Sequence, residues 1–489
     1  MFRTQDKSSI SHKARLTALL ASTALIAANP VFAGDLPTGG TVSAGAASIG
    51  ASQNGTITIN QSSANAVINW QSYNIGQGNT VVYHQPDAAS SILNRVTGGT
   101  TTTIAGGLVA NGQVYLINPN GIAITPTGTI KTGAFVASTL GITDDDFMSG
   151  KRSFTGNGAS NSVTNAGAIT IARGGYMALI GGSVANSGTI SVPEGRAALG
   201  SGERATLDLS GDGFLQVAIP TQAGGSDALV ANSGVISASG GKVELKAAAA
   251  RDMARQAVNM SGTIEARTVS GRSGDIVLGG GDGDVAISGG ITATGASAKG
   301  GKVTVTSRKI KLANAKIDAS GDSGGGTVLI GGKRLGASGL QTAQTLSVDA
   351  NSVISADALV SGHGGNIVLW SDDLTQFSGL ITARGGSTAG NGGDVEVSGK
   401  AALSYTGFTD LSAANGAFGD LLLDPRNVTI STGADTSGFT ASVNDSVINV
   451  STLQTALAGA MSRSPPEPRA PRRAPSLWPM RWAGARPRR

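Results

Sequence analysis

The sequence predicts an all-β protein: a right-handed parallel β-helix, or β-solenoid, closed at its N-terminal end by a capping region. Three observations carry this expectation. Glycine supplies 73 of 489 residues, about twice the ~7% of an ordinary chain. Charged residues make up 14%, well below the ~25% of an ordinary domain. A short motif also recurs at steps of 21, 28 and 27 residues, a period typical of stacked supersecondary units. The glycines follow no strict Gly-X-Y repeat, which excludes collagen. Val/Ile/Leu-rich segments alternate with the Gly/Ser/Thr/Asn ones and need burial, which argues against disorder.

Residues 1–33 read as a secretory signal. Arg3, Lys7, Lys13 and Arg15 precede an apolar run from Leu16 to Ala28, and Val31-Phe32-Ala33 places small residues where signal peptidase requires them. Cleavage is expected between Ala33 and Gly34. The run is too short for a membrane span. The chain contains no cysteine, so no disulfide can lock it in an oxidising periplasm. Its net charge of +5 comes from this leader and from eight arginines after Met461. The body between them is acidic, so nucleic acid is not an expected partner.

Residues 34–160 are expected to form the cap and the first coils. The stretch to Ile122 is less repetitive and gathers Trp70, Tyr73, Tyr83 and Tyr115. Further coils are expected over 161–290 and again over 291–461. The recurring motif is Asn-x-Gly-x-Ile, at Asn165–Ile169, Asn186–Ile190 and Asn232–Ile236, with variants ending at Ile264, Ile291 and Ile381. The step of 46 from Ile190 to Ile236 reads as nearly two coils. Stacked isoleucines are expected to form a column, and Asn165, Asn186 and Asn232 a hydrogen-bonded ladder.

Between these motifs lie strands such as Lys242-Val-Glu-Leu245 and Asp394-Val-Glu-Val397. Their alternation points Val243/Leu245 and Val395/Val397 inward and Glu244 and Glu396 outward. Glycines are expected to supply positive-φ corners. At ~24 residues per coil, roughly 400 residues make about 17 coils and a rod of about 80 Å. Residues 462–489, with seven of the fifteen prolines, break every pattern. They read as a disordered basic tail or as the product of a frameshift after the coil Val443 to Leu457.

The most specific stretch lies within the cap. Ser91-Ile-Leu-Asn-Arg-Val96 is followed by Ile104-Ala-Gly-Gly-Leu108 and by Ala110-Asn-Gly-Gln-Val-Tyr-Leu-Ile-Asn-Pro-Asn-Gly-Ile122. In this order the segments resemble the N-terminal secretion domain of the filamentous haemagglutinin family, the exoproteins of two-partner secretion, over roughly Gly34 to Gly290. The resemblance implies export through a separate outer-membrane β-barrel with periplasmic recognition domains, and folding outside a Gram-negative cell, secreted or at its surface. It implies that Asn94, Arg95, Val96, Asn118, Pro119, Asn120, Gly121 and Ile122 form the transporter-recognition motif. It also implies a haemagglutinin-like adhesin. Leu421-Leu-Leu-Asp-Pro-Arg-Asn-Val-Thr-Ile430 resembles a segment of haem–haemopexin utilisation exoproteins, which makes haem acquisition the alternative. Adhesion would involve a glycan or protein ligand on a host or neighbouring cell.

No enzyme, cofactor or metal is expected. Gly321-Asp-Ser-Gly-Gly325 matches a serine-protease nucleophile signature, but past the leader only His84 and His363 remain, and neither sits in the context that such catalysis needs. Gly279–Asp284 is a single copy of a calcium-type turn, whereas adjacent turns must share each ion. Asp144, Asp145 and Asp146 read as a solvated loop cluster.

Overall fold

The computed structural model describes residues 36–424 except 212, 223, 226 and 252–255, together with 428–433, 446–451 and 454. The expected signal, the Ala33/Gly34 cleavage pair, the Pro/Arg-rich tail and most of the Val443–Leu457 coil lie outside the described residues. The chain winds as a right-handed parallel β-helix. From the strand Thr102–Ile104 to Ala402–Tyr405 each coil contributes a strand in turn to sheet III, sheet I and sheet II. Sheets I and II have 14 strands each and sheet III has 11.

The isoleucine column is real. Ile169, Ile190, Ile236, Ile264, Ile291, Ile317, Ile354 and Ile381 pair in unbroken parallel register along sheet I. All eight are buried in one core that runs from Ile57 to Leu423. At the corner between sheets III and I, the Asn165 Nδ2 donates to Asn186 Oδ1 at 2.7 Å, and Asn186 Nδ2 donates to Asn232 Oδ1 at 2.7 Å. These amides are buried, so each satisfies its neighbour where water cannot. The ladder ends where Asn232 meets Met260.

Glycine serves this corner for a different reason than expected. Gly188, Gly234 and Gly262 do not have positive φ. A Cβ on each would lie 2.1–2.2 Å from the carbonyl oxygen of the glycine one coil below, so stacking leaves no room for a side chain.

Three excursions interrupt the winding, all leaving at the corner between sheets II and III. The first, after the strand Ala134–Ser138, holds a short helix at Asp144–Met148 and a strand at Ser153–Thr155. The second, after Arg196–Ser201, holds the hairpin Arg204–Leu207/Leu215–Ala218. The third follows Thr327–Ile330 and contains the turn Arg334–Gly336. They correct two expectations. Ile190 and Ile236 sit on adjacent coils, so the 46-residue step is one coil carrying the hairpin. Among the described residues sheet II has 14 strands, the first of them antiparallel, so thirteen coils stack in parallel between Thr56 and Leu423, about 60 Å at ~4.8 Å each, fewer than ~24 residues per coil would give over that length.

The excursions also reverse the expected exposure of two glutamates. Val243/Leu245 and Val395/Val397 do face the core, but Glu244 and Glu396 are buried on the opposite face. The hairpin covers Glu244, which accepts from Leu215 N–H at 2.9 Å and pairs with Lys242 and Lys246 at 2.8 and 3.1 Å. The third excursion covers Glu396, which accepts from Leu335 N–H and Ser398 Oγ.

The N-terminal end is capped. Thr41–Ala44 and Ala47–Ile49 pair antiparallel with the first parallel strands of sheets II and I, Asn65–Trp70 and Thr56–Gln61. They cover backbone edges that would otherwise template aggregation.

Candidate transporter-recognition site

Strand alternation splits the first half of the predicted motif between two faces. Ser91–Val96 lies in sheet II, with Ile92, Asn94 and Val96 inside the core and Leu93 and Arg95 on the outer side. A fully buried asparagine is tolerated only if its amide is satisfied. Asn94 Oδ1 accepts from Trp70 Nε1–H at 3.0 Å and from Tyr83 O–H at 2.8 Å, and its Nδ2 donates to Tyr115 O at 3.3 Å. Tyr73 and Tyr83 share a hydroxyl hydrogen bond of 2.6 Å. Burial pushes the pKa of both phenols well above the ordinary value, so the pair stays neutral. Asn94 is thus the hub that accommodates the aromatic cap.

Arg95 points the other way. Its guanidinium pairs with Asp144 at 2.6 Å and donates to Asn69 Oδ1 and Ile142 O. Asp144 belongs to the acidic triplet expected in a solvated loop. The triplet instead forms the first turn of the short helix, capped by the Thr143 side chain, where negative charge suits the helix dipole. Asp146 pairs with Lys151 at 3.1 Å.

The second half of the motif sits one coil further on. The strand Gln113–Ile117 lies in register on Ser91–Arg95, and Asn118-Pro119-Asn120-Gly121 then turns the corner from sheet II to sheet III. Gly121 N–H donates to Asn118 O at 3.1 Å, closing a β-turn, and Gly121 has φ +109°, where glycine is favoured. Asn118 is buried and donates from Nδ2 to Thr100 O and Thr102 Oγ1, both at 2.9 Å. Asn120 Nδ2 donates to Gly98 O at 2.8 Å. Both asparagines therefore fasten this corner to the preceding one. Ile122 enters the core as the first residue of the next strand. Asn161 donates to Pro119 O from the following coil.

The structure brings the two halves together on adjacent coils. Asn94, Val96, Asn118, Gly121 and Ile122 are buried, Arg95 and Asn120 are half-buried, and Pro119 is exposed. Sequence reasoning missed the layer that packs outside Arg95. Tyr115, read as a cap aromatic, faces this layer and not the core. Arg152 is buried there, 4.9 Å from the Tyr115 ring and 4.5 Å from the Phe147 ring, and donates to Tyr115 Oη at 2.8 Å and Phe147 O at 3.0 Å. Nothing in the local sequence around Arg152 marks it for burial.

This cap, corner and coil stack match a known family. The family model for the TPS secretion domain matches residues 33–293. The chain belongs to the two-partner secretion family. The solved HMW1 secretion domain from Haemophilus influenzae is 33% identical, with a TM-score of 0.68 over 79% of this chain and 100% of that one. The heme/hemopexin-binding protein of H. influenzae strain KW20 Rd is 33% identical over 275 residues, 55% of this chain and 30% of that protein. A second H. influenzae protein of that name is 45% identical over 83 residues, 17% of this chain and 9% of its own length. The matches span under a third of the length of either curated relative. The protein is an exoprotein of a Gram-negative two-partner system, and its family implies a separate transporter as partner. No helix among the described residues is long and apolar enough to cross a membrane.

Proposed function

We propose that the corner Asn118–Ile122, held rigid by the asparagines stacked on Thr100 and Gly98, is the surface that the periplasmic domains of the outer-membrane barrel read. Its Pro119 and Asn120 faces are the accessible ones, while Asn94 and Val96 act from inside by holding the underlying coil. The observation behind this reading is the location of both motif halves on adjacent coils, with Pro119 in the corner the one fully exposed residue of the motif. The test compares Pro119→Ala and Asn120→Ser with Asn94→Ala in a secretion assay with the cognate barrel and in binding to its isolated periplasmic domains. The surface variants are expected to lose binding while keeping their unfolding temperature, and Asn94→Ala to lose both. Normal binding and secretion of both surface variants would sink the assignment.

Beyond export, the names of the two curated relatives favour capture of haem or haem-loaded haemopexin over haemagglutinin-like adhesion. The rod itself supports the second reading, because its long polar outer faces suit many weak contacts. In either case the role is binding at or beyond the cell surface, without catalysis. Residues Gly321–Gly325 support the non-enzymatic reading, since they form a loop stacked between Gly295 and Ala358. Pull-down of haemopexin by the secreted chain, set against adherence of the producing cells to erythrocytes, separates the two readings.

A further inference from the structure

On the coil after the Asn118–Ile122 corner, the turn from sheet II to sheet III is replaced by the first excursion. It leaves after Ser138 and returns at Asn161, just before the strand Ser162–Asn165. Asn161 Nδ2 donates to Pro119 O at 2.8 Å, and Asn161 O accepts from Thr139 Oγ1 and Gly182 N–H, both at 2.9 Å. The return is therefore fastened to the motif corner, about 4.8 Å further along the rod.

The two segments share a local shape. Asn118 Oδ1 accepts from Asn120 N–H at 2.9 Å, and Asn157 Oδ1 accepts from Ala159 N–H at 3.0 Å, so an asparagine side chain closes each turn. Asn157, Ala159 and Asn161 are exposed, as is Pro119. Neither 118–122 nor 156–161 contains an acidic or basic side chain, so the return extends the exposed face of the corner without adding charge.

A buried carboxylate shapes the return from below. Glu203, at the start of the second excursion, is 3% exposed. Its carboxylate accepts from Ser160 N–H at 2.9 Å, Ser160 Oγ at 2.7 Å and Gly158 N–H at 3.0 Å. Its main-chain oxygen accepts from Gly156 N–H at 2.8 Å. Three of the six residues of the return thus bond to one glutamate, which fixes the loop before any partner arrives and lowers the ordering cost of docking.

We propose that the surface read by the barrel's periplasmic domains spans two coils, with Gly156–Asn161 as its second half and Glu203 as the positioning residue that sets its shape, a reading that rests on the assignment of the Asn118–Ile122 corner. Continuity names the occupant: a domain seated on Pro119 meets Asn161 and its loop on the next coil. Nothing in the local sequence of 156–161 marks it for this role, because an excursion lies outside the repeat.

The test measures binding of the full secreted chain to the isolated periplasmic domains of the cognate barrel, together with thermal unfolding. Ala159→Arg adds bulk to the exposed loop and should weaken binding about tenfold or more at an unchanged unfolding temperature. Ala168→Arg, at an exposed site on sheet I of the same coil, should bind like the native chain. Glu203→Gln should weaken binding several-fold in the native chain but add almost nothing to Ala159→Arg, a coupling that a general loss of stability does not produce. Pro119→Ala, measured alongside, separates the two readings. Loss of binding in Pro119→Ala with normal binding in Ala159→Arg would overturn the second half and leave the corner standing. Normal binding in both would remove the corner and the second half together. Equal losses in the two arginine variants, or additive losses from Glu203→Gln and Ala159→Arg, would also overturn the proposal.

Discussion

The two ends of the rod solve the same packing problem differently. Up to about residue 250, sheet II is buried on both faces. Tyr176–Gly181 is buried at every position, and its outer side chains pack with Phe147, Phe154, Phe214 and Leu215 from the first two excursions. Further along, Asp275–Gly279 alternates buried and half-buried residues, as expected of a sheet with one face toward solvent. The difference teaches that the export half is a two-layered body, whereas most of the distal half is one coil thick. In a stack of coils each unit touches only its neighbours, so the distal rod is stable by local sums. The excursions tie non-adjacent coils together: the pair between Asp144 and Arg95, for example, links segments 49 residues apart in sequence.

The largest effect that could break this comparison is expected from Phe147→Ala. The ring is fully buried against Tyr115 and Arg152, and its removal should cost about 3–5 kcal/mol. Because the layer spans several coils, denaturant unfolding should show the whole export half weakened. A loss confined to the excursion, as read by hydrogen exchange, would mean that the layer is mere decoration.

Next comes Asn186→Ala, at the centre of the asparagine ladder. It leaves Asn165 Nδ2 and Asn232 Oδ1 without their partners and should cost about 2–3 kcal/mol. The increase in exchange should centre on the coils bearing Asn165 and Asn232 and fade along the rod. A uniform loss would show that the stack is more cooperative than nearest-neighbour contacts allow.

A smaller, pH-dependent effect is expected at Glu396, the distal counterpart of Glu244. Burial raises its pKa above the ordinary 4.5, more than the hydrogen bonds from Ser398 and Leu335 lower it. The folded state therefore holds the proton more tightly than the unfolded chain. This contribution favours folding below the ordinary value and is lost as pH rises through the shifted one. Glu396→Gln should flatten that slope and leave the protein as stable or about 1 kcal/mol more stable near neutral pH. A variant whose unfolding temperature falls equally across about pH 4–8 would show that the carboxylate contributes through its hydrogen bonds alone.

Glu203, in the clad half, sharpens the contrast with the opposite sign. Burial pushes its carboxyl up, but hydrogen bonds from Thr221, from the Ser160 side chain and from the N–H groups of Ser160 and Gly158 hold it below its usual range. Its stabilisation is present above the ordinary value and is lost as pH falls through the lowered one. Glu203→Gln should weaken the fold slightly at neutral pH and not at all in strong acid, as measured by thermal unfolding at both ends.

Much of the fold was legible because a parallel stack writes itself into the sequence. Equivalent positions meet every coil, so isoleucines, asparagines and glycines recur at like phases and expose the axis, the core column and the ladder. The two segments proposed as the recognition motif lie one coil apart, as equivalent positions of a stack do. Neither the coil count nor the fate of Glu244 and Glu396 could be read this way. An excursion has no period, so the hairpin inside the step from Ile190 to Ile236 looks like a lost repeat. A strand's alternation states which side a residue faces but not what covers that side. Only the tertiary structure decides that Phe147, Leu215 and Leu335 return to the outer face of sheet II. That return turns two glutamates and Asp144 from expected surface groups into partners in a second layer.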